Sequence, residues 1–458
     1  MKIYLWLLAA CATASGAHAQ AIRFEKDSLT QVFATAQRQN KPVLVVVAAP
    51  PPPANLPGVP RQSGLTAPAV AARLNRDFLN KELGFGSPAS REVVRKYQVS
   101  AYPTYLYFAP DGSLLHRSTG SSSSEAGYLH DLASVQTALA DPRNLGYYRR
   151  EYAQGNRGAD FLRQYVAKSR QLKQLVEPAV LDAYVQQLPV QALGQGSELV
   201  FILENGPVLS SKAYLATRLD PRHSDSLFAT LPAAQRFACN NAIIRNSLAQ
   251  AIATKDRNLA NQTAEFTRRT WTNNYQRGQM ASESNLLTFY QATRDTASYL
   301  RLAVLHFDRV SAGVSADSAR RAVAAELALR QRAAMPRPVP AAGSPAATAN
   351  AVAPVQTVTI GTPPAAFLQV LNNGAYSIFQ TGTRNPQYLS RALLWSKRTV
   401  DLAPAPYNLD TLAHLLYRLG YYSEAEARQK LALALASKEK AQPALYQQEL
   451  QKIMKRTL

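Results

Sequence analysis

The alternation of apolar and polar positions divides the chain into a mixed first third and a helical remainder. Between Ser28 and Gln39, Leu29, Val32, Phe33 and Ala36 recur at helical spacing, and Asn40-Lys41-Pro42 stops the pattern. The run Val43-Leu44-Val45-Val46-Val47 then has no polar alternation at all, which predicts a central strand covered on both faces. Pro50 to Pro53, with Pro57, Gly58 and Pro60, follow; proline fixes φ and removes a donor, so this stretch is a loop. Helices are predicted over 67–75 and 90–97, with a short extended piece starting at Phe78-Leu79. The strand Tyr105-Leu106-Tyr107-Phe108, the turn Ala109-Pro110-Asp111-Gly112 and the strand Ser113-Leu114-Leu115-His116 read as a hairpin.

From Leu145 to Ala334 the spacing is helical throughout, with segments at 158–173, 179–187, 233–255 and 282–307 and no strand-like alternation. Pro336 to Pro364 breaks the pattern, being dominated by Ala, Pro, Thr and Val, and reads as a linker. Helical spacing returns beyond Phe367. Ala392 to Pro404 reads like the second helix and closing proline of a tetratricopeptide unit, and Gly420-Tyr421-Tyr422-Ser423-Glu424-Ala425 like the turn inside the next. Ala392 and Ala425 hold the same motif position 33 residues apart, close to that repeat's period of about 34. Such arrays need about three units to be stable, so these helices are expected to pack on the helical region before the linker.

The order of pieces in the first third resembles the thioredoxin superfamily, in particular exported bacterial members with helical C-terminal extensions. The residues that carry the resemblance are Asn40-Lys41-Pro42 with the strand behind it, the helix leading into Tyr97-Gln98-Val99, the Tyr102-Pro103-Thr104 turn, and Asp111-Gly112 followed by Gly120. It spans residues 22–141, about a quarter of the chain. The implied fold is an α/β thioredoxin-like domain with a central mixed sheet flanked by helices. The resemblance also implies a cis peptide before Pro103 and a groove at Tyr102, Pro103 and Thr104 that holds an extended peptide. Active members carry W-C-x-x-C after the first strand. Here that window is Pro52, Pro53, Ala54, Asn55, Leu56 and Pro57, with no cysteine, serine or tryptophan. The expected organisation is a signal peptide at 1–19, a thioredoxin-like domain at 20–141, a helical domain at 142–335, a linker at 336–365 and a tetratricopeptide-like helical region at 366–458.

Lys2, the apolar run Ile3 to Ala10 and the small residues ending Ala17-His18-Ala19 read as a cleaved export signal, giving a periplasmic or secreted protein. A second processing reading places a lipid on Cys11 within Leu8-Ala9-Ala10-Cys11. No further stretch has the roughly 20 apolar residues of a membrane span. Cleavage at Ala19 leaves Cys239 as the single cysteine, so no internal disulfide forms, and a thiol alone in a helix reads as a buried one. The formal charge of +21 is spread along the chain without a dense basic run. It reads as a solvated surface, with contact to an anionic envelope polymer as the alternative and no nucleic acid expected.

His116, His130, His223, His306 and His414 stand singly, with no metal-ligand spacing, and neither a phosphate loop nor a G-x-S-x-G elbow is present. Ser121 to Ser124 reads as a polar loop. No metal or cofactor is expected. These readings converge on an exported, redox-inactive scaffold or adaptor that binds a protein partner of the cell envelope, with the proline-rich loop and the Tyr102-Pro103-Thr104 turn as its recognition edge. The enzymatic alternative is a divergent thiol-disulfide oxidoreductase or isomerase.

Overall fold

The computed structural model describes residues 21–49, 63–334, 366–439 and 442–458, which fall into two compact units meeting in the chain at Ala192 and Leu193. The export signal, Cys11, the window Pro52 to Pro57 and the linker after Pro336 lie outside the described residues.

In the first unit α1 (Leu29–Gln39) is opened by a capping box between Ser28 and Gln31 and closed by Asn40 in the left-handed region, which asparagine tolerates well. β1 (Val43–Val47) is buried at all five positions. Burying each of those side chains is worth roughly 1.5–3 kcal/mol, against a β-propensity scale spanning about 1, so burial and not propensity makes this the central strand. A 3₁₀ turn (Gly64–Thr66), α2 (Pro68–Asp77), β2 (Leu79–Leu83), α3 (Pro88–Tyr97), β3 (Thr104–Phe108), β4 (Leu114–Thr119) and α4 (Ala126–Ala140) complete the layer structure.

The sheet order is β2-β1-β3-β4, with β1 parallel to β2 and antiparallel to β3, and β3 antiparallel to β4. A parallel bridge from Phe24 to Asn80 adds one residue pair outside β2. Side-chain alternation sends Leu44, Val46, Tyr105 and Tyr107 into one core with Val70 and Leu74 of α2 and Leu132 and Val135 of α4. Phe108 of β3 points the other way, edge-on to Phe33 of α1 and Tyr97 of α3 at 5.1 and 5.2 Å between ring centroids. The sheet is thus covered by helices on both faces.

The extended piece expected at Phe78-Leu79 is a full strand. Its polar residues misled the pattern: Lys81 donates to the carbonyls of Glu25 and Asp27, and Asn80, 1% exposed, donates to those of Arg23 and Leu74. Behind the sheet, α5 (Leu145–Ala153), α6 (Ala159–Gln171) and α7 (Pro178–Gln187) belong to the same unit. Stacked Tyr148 and Tyr165 join the first two of these, and Arg150 pairs with Asp111 of the hairpin turn. A short α8 (Val190–Leu193) crosses the division.

Helices are the only regular elements among the described residues of the second unit. Its first helices are α9 (Gly196–Glu204), α10 (Lys212–Ala216), α11 (Pro221–Thr230), α12 (Ala233–Thr254), α13 (Arg257–Arg269) and α14 (Tyr275–Thr293). Then come α15 (Thr296–Ala312), α16 (Ala316–Ala334), α17 (Ala366–Gln380), α18 (Pro386–Leu402), α19 (Pro406–Arg418), α20 (Tyr422–Lys438) and α21 (Pro443–Met454). The segment read as one helix over 282–307 is two, because Arg294 turns left-handed and Asp295 caps the next helix through the Ser298 N–H.

The helices after Phe367 pack on those before the linker, as expected from an array too short to stand alone. Leu371 and Ile378 of α17 and Leu389 and Trp395 of α18 share a core with Tyr299, Ala303 and Phe307 of α15. Gly374 sits so close to the Phe307 ring that a Cβ there would lie 2.5 Å from it. The Trp395 indole donates to Asp308 at 2.8 Å.

One carboxylate ties α14 to α15. Glu283, 6% exposed at its side chain, accepts from Gln279 at 3.0 Å, from His306 Nδ1 at 3.0 Å and from Arg309. Burial alone would raise its pKa, but those three donors outweigh it and hold the carboxyl below the usual range. A lowered carboxylate contributes stability that is present above the ordinary glutamate value of about 4.3 and is lost as pH falls through its folded value. Glu283→Ala leaves His306 and Arg309 facing an empty site and is expected to cost about 2–4 kcal/mol, the lower end because Arg309 keeps access to water. Denaturant unfolding followed by a probe in the second unit checks this. The acid limb of the stability curve should flatten in the variant.

Candidate functional site

The site is built where β3 begins. The Tyr102–Pro103 peptide bond is cis, as the resemblance implied. Thr104 is fully buried and donates through Oγ1 to the Ala101 carbonyl at 2.6 Å, while Gly120 N–H donates to the Pro103 carbonyl at 2.8 Å, so the turn is tied down on both sides. Between these anchors, neither the N–H nor the C=O of Tyr102 has a hydrogen-bond partner among the described residues. Its ring is half-buried and meets that of Phe85 edge-on, 5.2 Å between centroids. Phe85 is 50% exposed. The result is a patch of two aromatic rings and a proline beside an unused donor and acceptor of the main chain, which is the equipment for holding an extended chain.

Phe85 was not among the residues singled out from the sequence. A signal for it existed: it stands in Gly84-Phe85-Gly86 directly after a strand, and an aromatic between two glycines in a connection has little around it to bury against. Tyr105, Tyr107 and Phe108, by contrast, are core residues of β3. Burial, reinforced by the Tyr128 hydroxyl beside Tyr105 and by the Asp131 charge near Tyr107, pushes both phenols well above the usual range, so neither ionises in ordinary use.

The first described residues after the proline-rich loop are held close to this region by a hydroxyl hub. Tyr128 OH lies 3.1 Å from Ser63 Oγ and 3.3 Å from Tyr105 OH, and accepts from the Ser122 N–H at 3.2 Å. Gly64 N–H donates to the Ser122 carbonyl at 2.8 Å, and a Cβ on Gly64 would sit 2.2 Å from the Ser124 carbonyl oxygen. The Ser121–Ser124 loop therefore receives the returning chain through its backbone, with Ser124 Oγ accepting from Ala126 N–H at the start of α4.

Among the described residues, the other chemistry-bearing side chains do not assemble into a catalytic arrangement. Asp131 lies between His116 Nε2, at 2.8 Å, and Ser118 Oγ, at 2.5 Å. Nucleophilic activation needs the imidazole in the middle, so these two contacts join β4 to α4 and do not activate the serine. Cys239, 1% exposed, is packed against Leu203, Val208, Ile243 and Leu259 in the second unit. No group of three His, Cys, Asp or Glu side chains among the described residues is placed to hold a metal ion, and no described helix is long and apolar enough to cross a membrane.

Gly64→Ala must push against backbone, which cannot yield as a side-chain tip does, and is expected to lower the stability of the first unit by about 2 kcal/mol or more. Tyr128→Phe deletes the hub hydroxyl and should cost about 1–2 kcal/mol. Thermal or denaturant unfolding read by circular dichroism measures both, and equal stability of Gly64→Ala and wild type would contradict the close approach. No protein-family model, curated protein or solved structure matches this chain, so the geometry around Tyr102 and Pro103 stands on its own.

Proposed function

We propose that this chain is an exported, redox-inactive thioredoxin-like adaptor that binds an extended polypeptide segment across Phe85, Tyr102 and Pro103. The observation that carries the reading is the main-chain N–H and C=O of Tyr102, without a hydrogen-bond partner among the described residues, set beside two partly exposed aromatic rings. An incoming strand gains two main-chain hydrogen bonds, each worth about 0.5–1.5 kcal/mol net, and covers apolar ring surface at about 25 cal/mol per Å². Such a site binds with modest affinity and tolerates varied side chains.

The thioredoxin-like reading is supported by the strand order and by helices on both faces of the sheet. The window Pro52 to Pro57 supplies no thiol, which supports binding over disulfide exchange. Cys239 lies in a packed core, where a partner's disulfide has no approach. The tetratricopeptide-like pairs α17–α18 and α19–α20, with Ala392 and Ala425 fully buried at matching positions, offer a second protein-binding surface.

The test uses the mature full chain against an array of extended peptides, at moderate and high salt, beside Phe85→Ala and Tyr102→Ala. Peptides retained at high salt should bind each variant at least tenfold more weakly, with no acceleration of disulfide reduction by wild type. Binding that ignores both substitutions sinks the groove. Binding that disappears with salt favours attachment to polyanions through the basic surface.

A further inference from the structure

Between the end of α14, the start of α15 and the end of α17 lies a cavity of about 290 Å³. Its floor is polar. Tyr299 of α15, 5% exposed, has its hydroxyl 2.5 Å from Ser377 Oγ of α17, and that serine donates in turn to the Gly374 carbonyl at 2.7 Å. The serine proton is spent on Gly374, so Tyr299 is the donor in the pair, and both oxygens keep lone pairs where they border the cavity. Tyr290 forms a wall; it is half-buried, and its hydroxyl has no hydrogen-bond partner among the described residues. Gln291, Arg294 and Gln380, all exposed, border the solvent side.

The charge at this cavity is one-sided. Among the described residues that line it, Arg294 is the only one that carries a charge. Its guanidinium has neither an ion pair nor a hydrogen bond among the described residues. Asp295, next in the chain, is already committed: it caps the Ser298 N–H at 3.1 Å and is bound by Arg257, which lies over the Tyr290 ring at 5.6 Å from its centroid. A second cavity, of about 460 Å³ beside Leu209, Tyr214 and Phe266, differs in this respect, because the charges lining it are paired: its Glu265 holds its Arg269 at 2.8 Å.

Each feature narrows the ligand. An unpaired guanidinium fork matches a carboxylate, which takes two parallel N–H bonds. No acidic residue lines the cavity, so the ammonium of an amino acid finds no partner there. Hydroxyl groups fit the remainder: they donate to the Tyr299 and Ser377 oxygens, and either donate to or accept from the Gln291 and Gln380 amides. A volume near the lower end of ligand pockets, which run from about 300 to 1,000 Å³, holds one small ring. A carboxylate on a hydroxylated ring is a sugar acid, whose C–H face also suits the tyrosine wall.

We infer that this cavity binds a sugar acid, with the carboxylate on Arg294 and a ring hydroxyl on the Tyr299–Ser377 pair. The site lies wholly within the second unit and shares no residue with the groove at Tyr102 and Pro103. A uronate has the required chemistry whether it is free or one residue of an acidic polysaccharide.

The experiment is saturation-transfer NMR and calorimetry of the full chain with glucuronate, galacturonate, glucose and tetragalacturonate, at about 0.3 M salt to screen general attraction to the basic surface. A uronate should bind wild type at least tenfold more tightly than glucose. Arg294→Gln alters an exposed side chain without partners, so it should leave thermal unfolding unchanged and bring uronate binding down to the glucose level. Arg294→Lys keeps the charge without the fork and should fall between. Tyr299→Phe should weaken uronate binding severalfold while keeping its preference over glucose. Tetragalacturonate bound more tightly than the monomer assigns the site to a polysaccharide, and equal binding assigns it to the free acid. No uronate binding at about 10 mM, equal binding of glucose, or uronate binding that Arg294→Gln leaves unchanged each overturns the site.

Discussion

The first unit depends on a strand with no free edge and no free face. β1 is paired with β2 on one side and β3 on the other, and all five of its side chains are buried. The peptide groups and side chains of Val43 to Val47 must therefore all be satisfied by the protein. That demand recruits a neighbour on each edge and helices above and below. It also sets the site: Val47, the last residue of β1, pairs with Thr104, the residue after Pro103, so the end of the central strand and the Tyr102–Pro103 turn are fixed to one another. Where the described chain resumes, Ser63 is held in the hub around Tyr128.

The second unit solves a different problem. Its helices bury apolar stripes on several sides, and where a charge falls inside, donors or acceptors converge on it from neighbouring helices. Glu283 is met from its own helix and from α15; His414 is met from α19 and α21. The first cluster is complete with ordinary protonation and acts as a fixed tie. The second brings an imidazole between a main-chain carbonyl of its own helix and a carboxylate of α21.

Much of the fold was legible because its signals are local. The unbroken apolar run of β1, the Asp111-Gly112 turn and the stop at Asn40-Lys41-Pro42 are each decided within a few residues. β2 was only glimpsed, since its Asn80 and Lys81 look like surface residues and are used by carbonyls supplied from residues 23–27 and from Leu74. The break at Arg294 was missed because an arginine in the left-handed region has no composition signature, although Asp295 beside it is an ordinary helix cap. At the site, Tyr102, Pro103 and Thr104 were legible as a motif. Phe85 was not, because its approach to Tyr102 joins two connections 17 residues apart.

The sequence by itself determined most of the strands and helices, the absence of a C-x-x-C pair, and the excess of positive charge, since each is a property of neighbouring residues or of a count. Only the tertiary structure decided that the Tyr102 N–H and C=O have no partner among the described residues, that Gly64 lies against the Ser124 backbone, and that both nitrogens of His414 face oxygen. These are distances between groups far apart along the chain, set by how the layers pack. A residue type states what a side chain is able to do, and the packing states which partner it is left with.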